Sequence, residues 1–188
     1  VPGSDAYPGD AASPPEIARW MARAAQRAGL PAELPVMASL VESGMRNINY
    51  GDRDSVGFFQ MRTGIWNAGP YAGYPERPEL QLTWFIDRAL AVKEQRIAVG
   101  NAAFGRDPAT FGEWIADIER PAEQYRGRYQ LRLEDAQRLV GVPLGRGRRC
   151  QRRALRTWAP SQELLAVRRF VQDLGRQRRR QGAPWGAL

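Results

Sequence analysis

Histidine is absent from this 188-residue chain, and a single cysteine, Cys150, is present. Those two facts exclude Ser-His-Asp and Cys-His catalysis, histidine-ligated zinc and any imidazole general base. One cysteine forms no internal disulfide and supplies no metal cluster. Chemistry here must rest on carboxylates, hydroxyls, amides and arginine. The best-placed carboxylate is Glu42, in the run LVESGMRNINYGDRDSVGFFQMR. A glutamate ending an apolar helix, against Leu40, Val41, Phe58 and Phe59, has its charged form disfavoured by desolvation, so its pKa rises. A carboxylic acid kept protonated near neutrality can pass a proton to the leaving oxygen of a glycosidic bond. Most glutamates at helix ends are simply solvated. The residues around Glu42 are what give it a role.

The pair Glu42-Ser43 at a helix end is followed by a glycine-containing loop and then by Ser55-Val56-Gly57-Phe58-Phe59-Gln60. In order, spacing and helix-to-loop context this resembles the first motifs of the lysozyme-like lytic transglycosylases and the related goose-type lysozymes. The resemblance implies a mostly α (α+β) lysozyme-like fold, a helical domain with a small β or loop insert beside the catalytic cleft. It also implies cleavage of the β-1,4 bond between N-acetylmuramic acid and N-acetylglucosamine in peptidoglycan, with neither metal nor cofactor. Carried over by position, Glu42 resembles the general acid that then acts as base. Gln60 resembles the cleft glutamine that hydrogen-bonds the sugar, Ser55 the residue that shapes the loop near the acid, and Phe59 belongs to the same substrate-lining segment. The late tyrosine of the family corresponds to Tyr125 or Tyr129 in ERPAEQYRGRYQ, where Arg126 and Arg128 are available for a lactyl or peptide carboxylate. The family's Ala-Tyr-Asn-x-Gly-like turn has no match. AVGNAAFG around Asn101 is nearest and lacks the tyrosine.

Whether such a site hydrolyses its substrate turns on a second carboxylate. An inverting hydrolase needs a base that activates water across the sugar from the acid. Lytic transglycosylases need none, because the substrate's own 6-hydroxyl closes an anhydro ring. Gly51-Asp52 resembles the Gly-Asp of goose-type lysozymes, and Asp54 is a second candidate, although both suit turn formation in the GDRDS loop. Arg62 stands where the hydrolases carry a carboxylate two residues beyond the cleft glutamine, which favours the lytic route. The alternatives are a hydrolytic muramidase using Asp52 or Asp54, and a non-catalytic virion or envelope module on the same fold.

The elements that must position these residues are helical. Ser13, Pro14, Pro15 and Glu16 form a helix start, and Ile17, Trp20, Met21, Ala24, Ala25 and Ala28 share one face before Gly29. A second helix runs from about Pro35 to Gly44 with Glu42 and Ser43 in its last turn. Residues 45–63 read as a loop or small β-excursion. Helical patterns return at about 78–98, 108–119 and 131–140. Between them, residues 63–79 form a Gly- and Pro-rich loop whose Trp66, Tyr71 and Tyr74 are available to stack on sugars or to anchor the loop. The expected organisation is a linker or leader at 1–13, the catalytic domain at 14–142 and a basic tail at 143–188.

The formal charge of +8 is not spread along the chain. Residues 1–145 carry 16 basic and 18 acidic groups, whereas residues 146–188 carry 12 and 2. The tail, with an amphipathic helix expected at 161–175, therefore has the footprint of a polyanion binder. Nucleic acid, an anionic membrane surface, cell-wall polymer or a larger assembly all fit it. No run of about 20 apolar residues is long enough to span a bilayer. No signal peptide is visible, and the expected place of work is extracytoplasmic: secreted, wall- or virion-associated.

Overall fold

The structure is a computed structural model that describes residues 6–141. The basic tail and its expected helix lie outside the described residues. Of the described part, 61% is helical and 3% is strand, confined to one two-stranded sheet.

Helix α1 spans Pro14–Arg27, with Pro in its first turn. The Glu16 carboxylate accepts hydrogen bonds from the Ser13 backbone N–H (2.9 Å) and hydroxyl (2.6 Å), closing the helix start. Its end is a Schellman turn, in which Leu30 donates to the Ala25 carbonyl and Gly29, at φ +73°, donates to that of Gln26. Helix α2 (Leu34–Glu42) is apolar on nearly every face and buried accordingly. The chain then reverses sharply. Gly44 and Met45 both take left-handed φ values (+63° and +64°), and the buried Met45 side chain anchors the reversal.

Strands β1 (Ser55–Val56) and β2 (Met61–Arg62) pair antiparallel, with Ser55 opposite Arg62 and Val56 opposite Met61. This is the small β-excursion expected from the glycines and aromatics of 45–63. The aromatic loop that follows is more ordered than its composition predicts. Helix α3 (Thr63–Trp66) and two 3-10 turns, Gly69–Tyr71 and Tyr74–Glu76, bring Tyr71 and Tyr74 fully into the core.

Helix α4 (Pro78–Ala98) is the longest element, and helix α5 (Phe111–Glu119) packs against it. Trp114 of α5 is fully buried and donates its indole N–H to the Ala89 carbonyl at 3.1 Å. Two 3-10 turns, Glu123–Arg128 and Gln130–Arg132, lead into α6 (Leu133–Val140). Helix α2 is covered by α1, α4, α5 and α6. Its last residue, Glu42, thus sits where the helical core meets the hairpin. Among the described residues no helix is long and apolar enough to cross a membrane.

The described part of the segment before α1, expected as a linker or leader, is docked on the hairpin side. The Tyr7 ring lies 5.0 Å from Trp20 and 5.9 Å from Phe58. Its hydroxyl donates to Asp10 at 2.6 Å, and Asn47 donates to the same carboxylate oxygen at 3.2 Å.

Candidate active site

Glu42 ends α2, and the residue after it ties that end to the hairpin. The Ser43 hydroxyl is 3.0 Å from the carbonyl oxygen of Phe58 and 3.2 Å from that of Ser39. On the far side of Phe58, the buried Gln81 of α4 accepts from the Phe58 N–H at 2.8 Å. Its amide N–H groups donate to the Tyr74 carbonyl (3.1 Å) and to Asn47 (3.0 Å). Residue 57 must be glycine for this clamp to close. Its φ is +85°, and a β-carbon there would stand 2.3 Å from the Gln81 carbonyl oxygen. Ser43 and Gln81 thereby fix the position of the hairpin relative to the acid.

The Glu42 carboxyl is half-buried. Tyr129, itself buried, donates its hydroxyl to Oε1 at 2.6 Å. Oε2 has no hydrogen-bond partner among the described residues. Burial raises the Glu42 pKa above its ordinary value, while the Tyr129 hydrogen bond and the charge of Arg128 pull it back. One oxygen is anchored and the other is free, on a group biased toward its protonated form. That is the arrangement general-acid catalysis requires.

Behind Glu42 lies a second acid. Glu119, the last residue of α5, has Oε1 sealed from solvent without a partner. Burial holds its pKa well above the ordinary carboxylate range, the charge of Glu42 pushes the same way, and Arg88 opposes both. Arg88, from α4, is itself buried and lies 5.7 Å from the Trp66 ring. Burial pushes its pKa down to about 10, helped by Arg120. Sequence reasoning missed Glu119, Arg88 and Gln81. Their signal was phase, because Glu119 follows Ile115 by four residues while Gln81 and Arg88 lie three or four from Trp84 and Phe85 on the buried stripe.

The other expected site residues separate. Of the two tyrosines, Tyr129 reaches Glu42, while Tyr125 is 47% exposed and carries the Arg128 guanidinium 4.7 Å from its ring centre. Gln60, at φ +46°, donates to the carbonyls of Gly57 (3.2 Å) and Tyr50 (3.4 Å), so its amide N–H closes the loop. Ser55 is buried in β1 opposite Arg62. Phe59 does not line a cleft. It is 1% exposed and stacks on Phe85 at 4.7 Å, because the hairpin turn directs both Phe58 and Phe59 into the core. Tyr71 and Tyr74 are likewise core residues, their hydroxyls bound to Asp87 (3.0 Å) and to the Met61 carbonyl (2.6 Å). Trp66 packs edge-on against Trp84 and Tyr71.

Asp54 is not free to activate water. Its carboxylate accepts from the Arg62 guanidinium, from the Thr63 hydroxyl at 3.0 Å and from the Gly64 N–H at 2.6 Å. The Gly64 and Arg62 bonds hold its pKa far below the usual carboxylate range. Arg62 therefore pairs with Asp54, and together they pin the start of α3. Asp52 is exposed on the loop. Among the described residues no group of three or more carboxylates or cysteines is gathered in a way that would hold a metal ion.

The comparison with known proteins is negative. No protein-family model matches the chain, and no match is found among curated proteins or solved structures. Any functional reading therefore stands on the residues and their geometry.

Proposed function

We propose that this chain cleaves peptidoglycan as a lytic transglycosylase of lysozyme-like fold, with Glu42 as general acid and then base. One observation carries the reading: a half-buried Glu42 with its pKa raised, one oxygen held by Tyr129 and the other open. The motif order Glu42-Ser43, Ser55 and Gly57-Phe58-Phe59-Gln60 supports it. So does the linking of that helix end to that hairpin by Ser43.

Protonated Glu42 gives its proton to the glycosidic oxygen as the bond from the muramyl C1 breaks. The positive charge developing at C1 is met by the substrate's own N-acetyl oxygen. Glu42, now a carboxylate, takes the proton from the 6-hydroxyl as that oxygen closes on C1. Glu42 ends protonated again, and no water is consumed. The Tyr129 hydroxyl lies where charge appears on Glu42 and stabilises the carboxylate between the two proton transfers. The engagement of Asp54 with Arg62 and Gly64 supports the lytic route over hydrolysis. Asp52 remains the one hairpin-loop carboxylate free for the hydrolytic alternative. With peptidoglycan as substrate, the place of work is extracytoplasmic, and the basic tail is a tether to an anionic polymer or assembly.

The test is digestion of purified peptidoglycan by the wild type and Glu42→Gln, with products read by mass spectrometry. Anhydro-ended products, lighter by one water than reducing ends, together with loss of activity in the variant, are expected. Reducing ends would instead support hydrolysis, and activity undiminished in Glu42→Gln would remove that residue from the chemistry. A wild type without any cleavage would favour a binding module on the same fold.

A further inference from the structure

Tyr129, which holds Glu42, is the one buried residue between Arg120 and Asp135. On either side of it the chain runs over the surface as two 3-10 turns, Glu123–Arg128 and Gln130–Arg132, neither of which buries a side chain. Burial keeps the Tyr129 ring inside, but a single apolar anchor does not fix how that ring is aimed. A 3-10 turn, with its poorer hydrogen-bond geometry, does little to stiffen itself. The hydroxyl stands at the far end of the side chain. A small rotation of the turn therefore swings it out of line with the Glu42 oxygen, and a hydrogen bond weakens steeply as it bends.

Two side chains supply the missing constraint, one on each side of the tyrosine. Three residues before it, Arg126 donates to Asp117 Oδ1 at 2.8 Å and to the Ala116 carbonyl at 3.3 Å, both on α5. Asp117 is held in turn, because its Oδ2 accepts from Arg96 of α4, whose Nε is 3.0 Å away. Each oxygen of one carboxylate thus takes a guanidinium from a different element, which makes a part-buried network rather than a lone surface pair. One residue after the tyrosine, the Gln130 side chain accepts from the Gly112 N–H at 2.8 Å and donates to the Pro108 carbonyl at 3.1 Å. Residue 112 approaches so closely that a β-carbon on it would stand 2.6 Å from the Gln130 nitrogen. Arg126, expected from the sequence to be available for a substrate carboxylate, is therefore engaged within the protein.

We infer that Arg126 and Gln130 are positioning residues for the chemistry proposed at Glu42: by clamping the turn to α5 on both sides, they aim the Tyr129 hydroxyl at the acid. The inference rests on the reading of Glu42 as the acid, although the state of its proton can be followed without any cleavage. The cation whose charge bears directly on Glu42 is Arg128. Arg126 acts through Tyr129 instead.

The experiment is a pH titration of the Glu42 carboxyl by carbon NMR, its signal assigned by its absence in Glu42→Gln. The wild type, Arg126→Gln and Gln130→Ala are compared, and each substitution is repeated in a Tyr129→Phe background. Each single variant should raise the Glu42 pKa by about half to one unit, part of what complete loss of the hydroxyl gives. In the Tyr129→Phe background the same substitutions should move it by less than about 0.2, because the group they aim is gone. Gln130→Ala changes no charge, so its effect reports alignment alone. A pKa that stays or falls in both single variants, shown to be folded by thermal melts, would overturn the inference. So would a rise undiminished in the Tyr129→Phe background. On peptidoglycan, kcat should fall and the alkaline limb of kcat/KM should move up with KM unchanged, a pattern that general loosening does not produce. Failure of the catalytic reading is separate: it would appear as a wild type that cleaves nothing, while the titrations still decide whether Arg126 and Gln130 aim Tyr129.

Discussion

Tyr129→Phe isolates the one hydrogen bond made to the Glu42 carboxyl among the described residues. The hydroxyl donates to Oε1 at 2.6 Å from a side chain that is 1% exposed, so phenylalanine keeps the ring packing and removes only the donor. That bond favours the carboxylate, and its loss must move the Glu42 pKa upward, in the direction burial already pushes it. A hydrogen bond to a charged group contributes about 1.5–3 kcal/mol. At about 1.4 kcal/mol per pKa unit, the shift is about one to two units. The direct assay is carbon NMR of the Glu42 side-chain carboxyl through a pH titration of both proteins. Activity should follow. The alkaline limb of kcat/KM reports loss of the acid's proton, so it should move up by about the same one to two pH units. The plateau should fall, because the carboxylate formed between the two proton transfers has lost its stabilising donor. An unchanged or lowered pKa would refute the electrostatic account of the site, whatever happened to the rate.

Asp87, on α4, tests the effect of burial on a second carboxyl. Its pKa is pushed up to about 6 from 3.8 by burial, against the Tyr71 hydrogen bond. A folded pKa above the unfolded one makes its contribution fully present below about pH 4 and lost as pH rises to about 6, by up to about 3 kcal/mol. Asp87→Asn should flatten that window in thermal melts recorded between pH 4 and 7. Gly57→Ala should melt markedly lower, because its new β-carbon meets Gln81 at 2.3 Å, whereas Gly44→Ala has open space and should lose only about 1 kcal/mol for its left-handed φ. Glu119→Gln should melt higher than wild type at pH 7 and no differently below pH 4, since it removes a sealed carboxyl whose pKa burial holds high. A lower melting temperature at pH 7 would show that the attraction of the Arg88 charge outweighs the burial of Glu119.

Helices were legible wherever an apolar stripe was closed by recognisable end signals. Ser13 with Glu16 and Gly29 bracketed α1, and the spacing of Leu82, Phe85 and Ala89 marked α4. Glu42 was legible because a short motif surrounds it. The aromatic loop was not, because Gly and Pro between tyrosines are equally consistent with an exposed sugar platform and with short 3-10 turns that insert Tyr71 and Tyr74 into the core. Phe59 was misplaced for a related reason. In a tight turn, two neighbouring residues can point the same way, and strand alternation gives no guidance. Glu119, Arg88 and Gln81 were hidden by their chemistry. A polar residue on a buried stripe reads as an interruption until its partners, far away in sequence, are known.

Those hidden residues explain why the motif alone cannot make a site. Glu42 gains its raised pKa from burial, yet burial of its surroundings depends on a hairpin with only two residues per strand, too short to hold itself in water. The hairpin is held instead by side chains outside it. Ser43 grips the Phe58 carbonyl, Gln81 grips the Phe58 N–H, and Asn47 links Gln81 to Asp10 and so to the docked Tyr7. The links made by Ser43 and Gln81 are buried or part-buried polar contacts whose loss leaves another group unsatisfied, whereas the two to Asp10 are exposed. The acid's protonation state is therefore tied to Gln81 on α4. Substitutions there should reach Glu42 through the hairpin rather than through space.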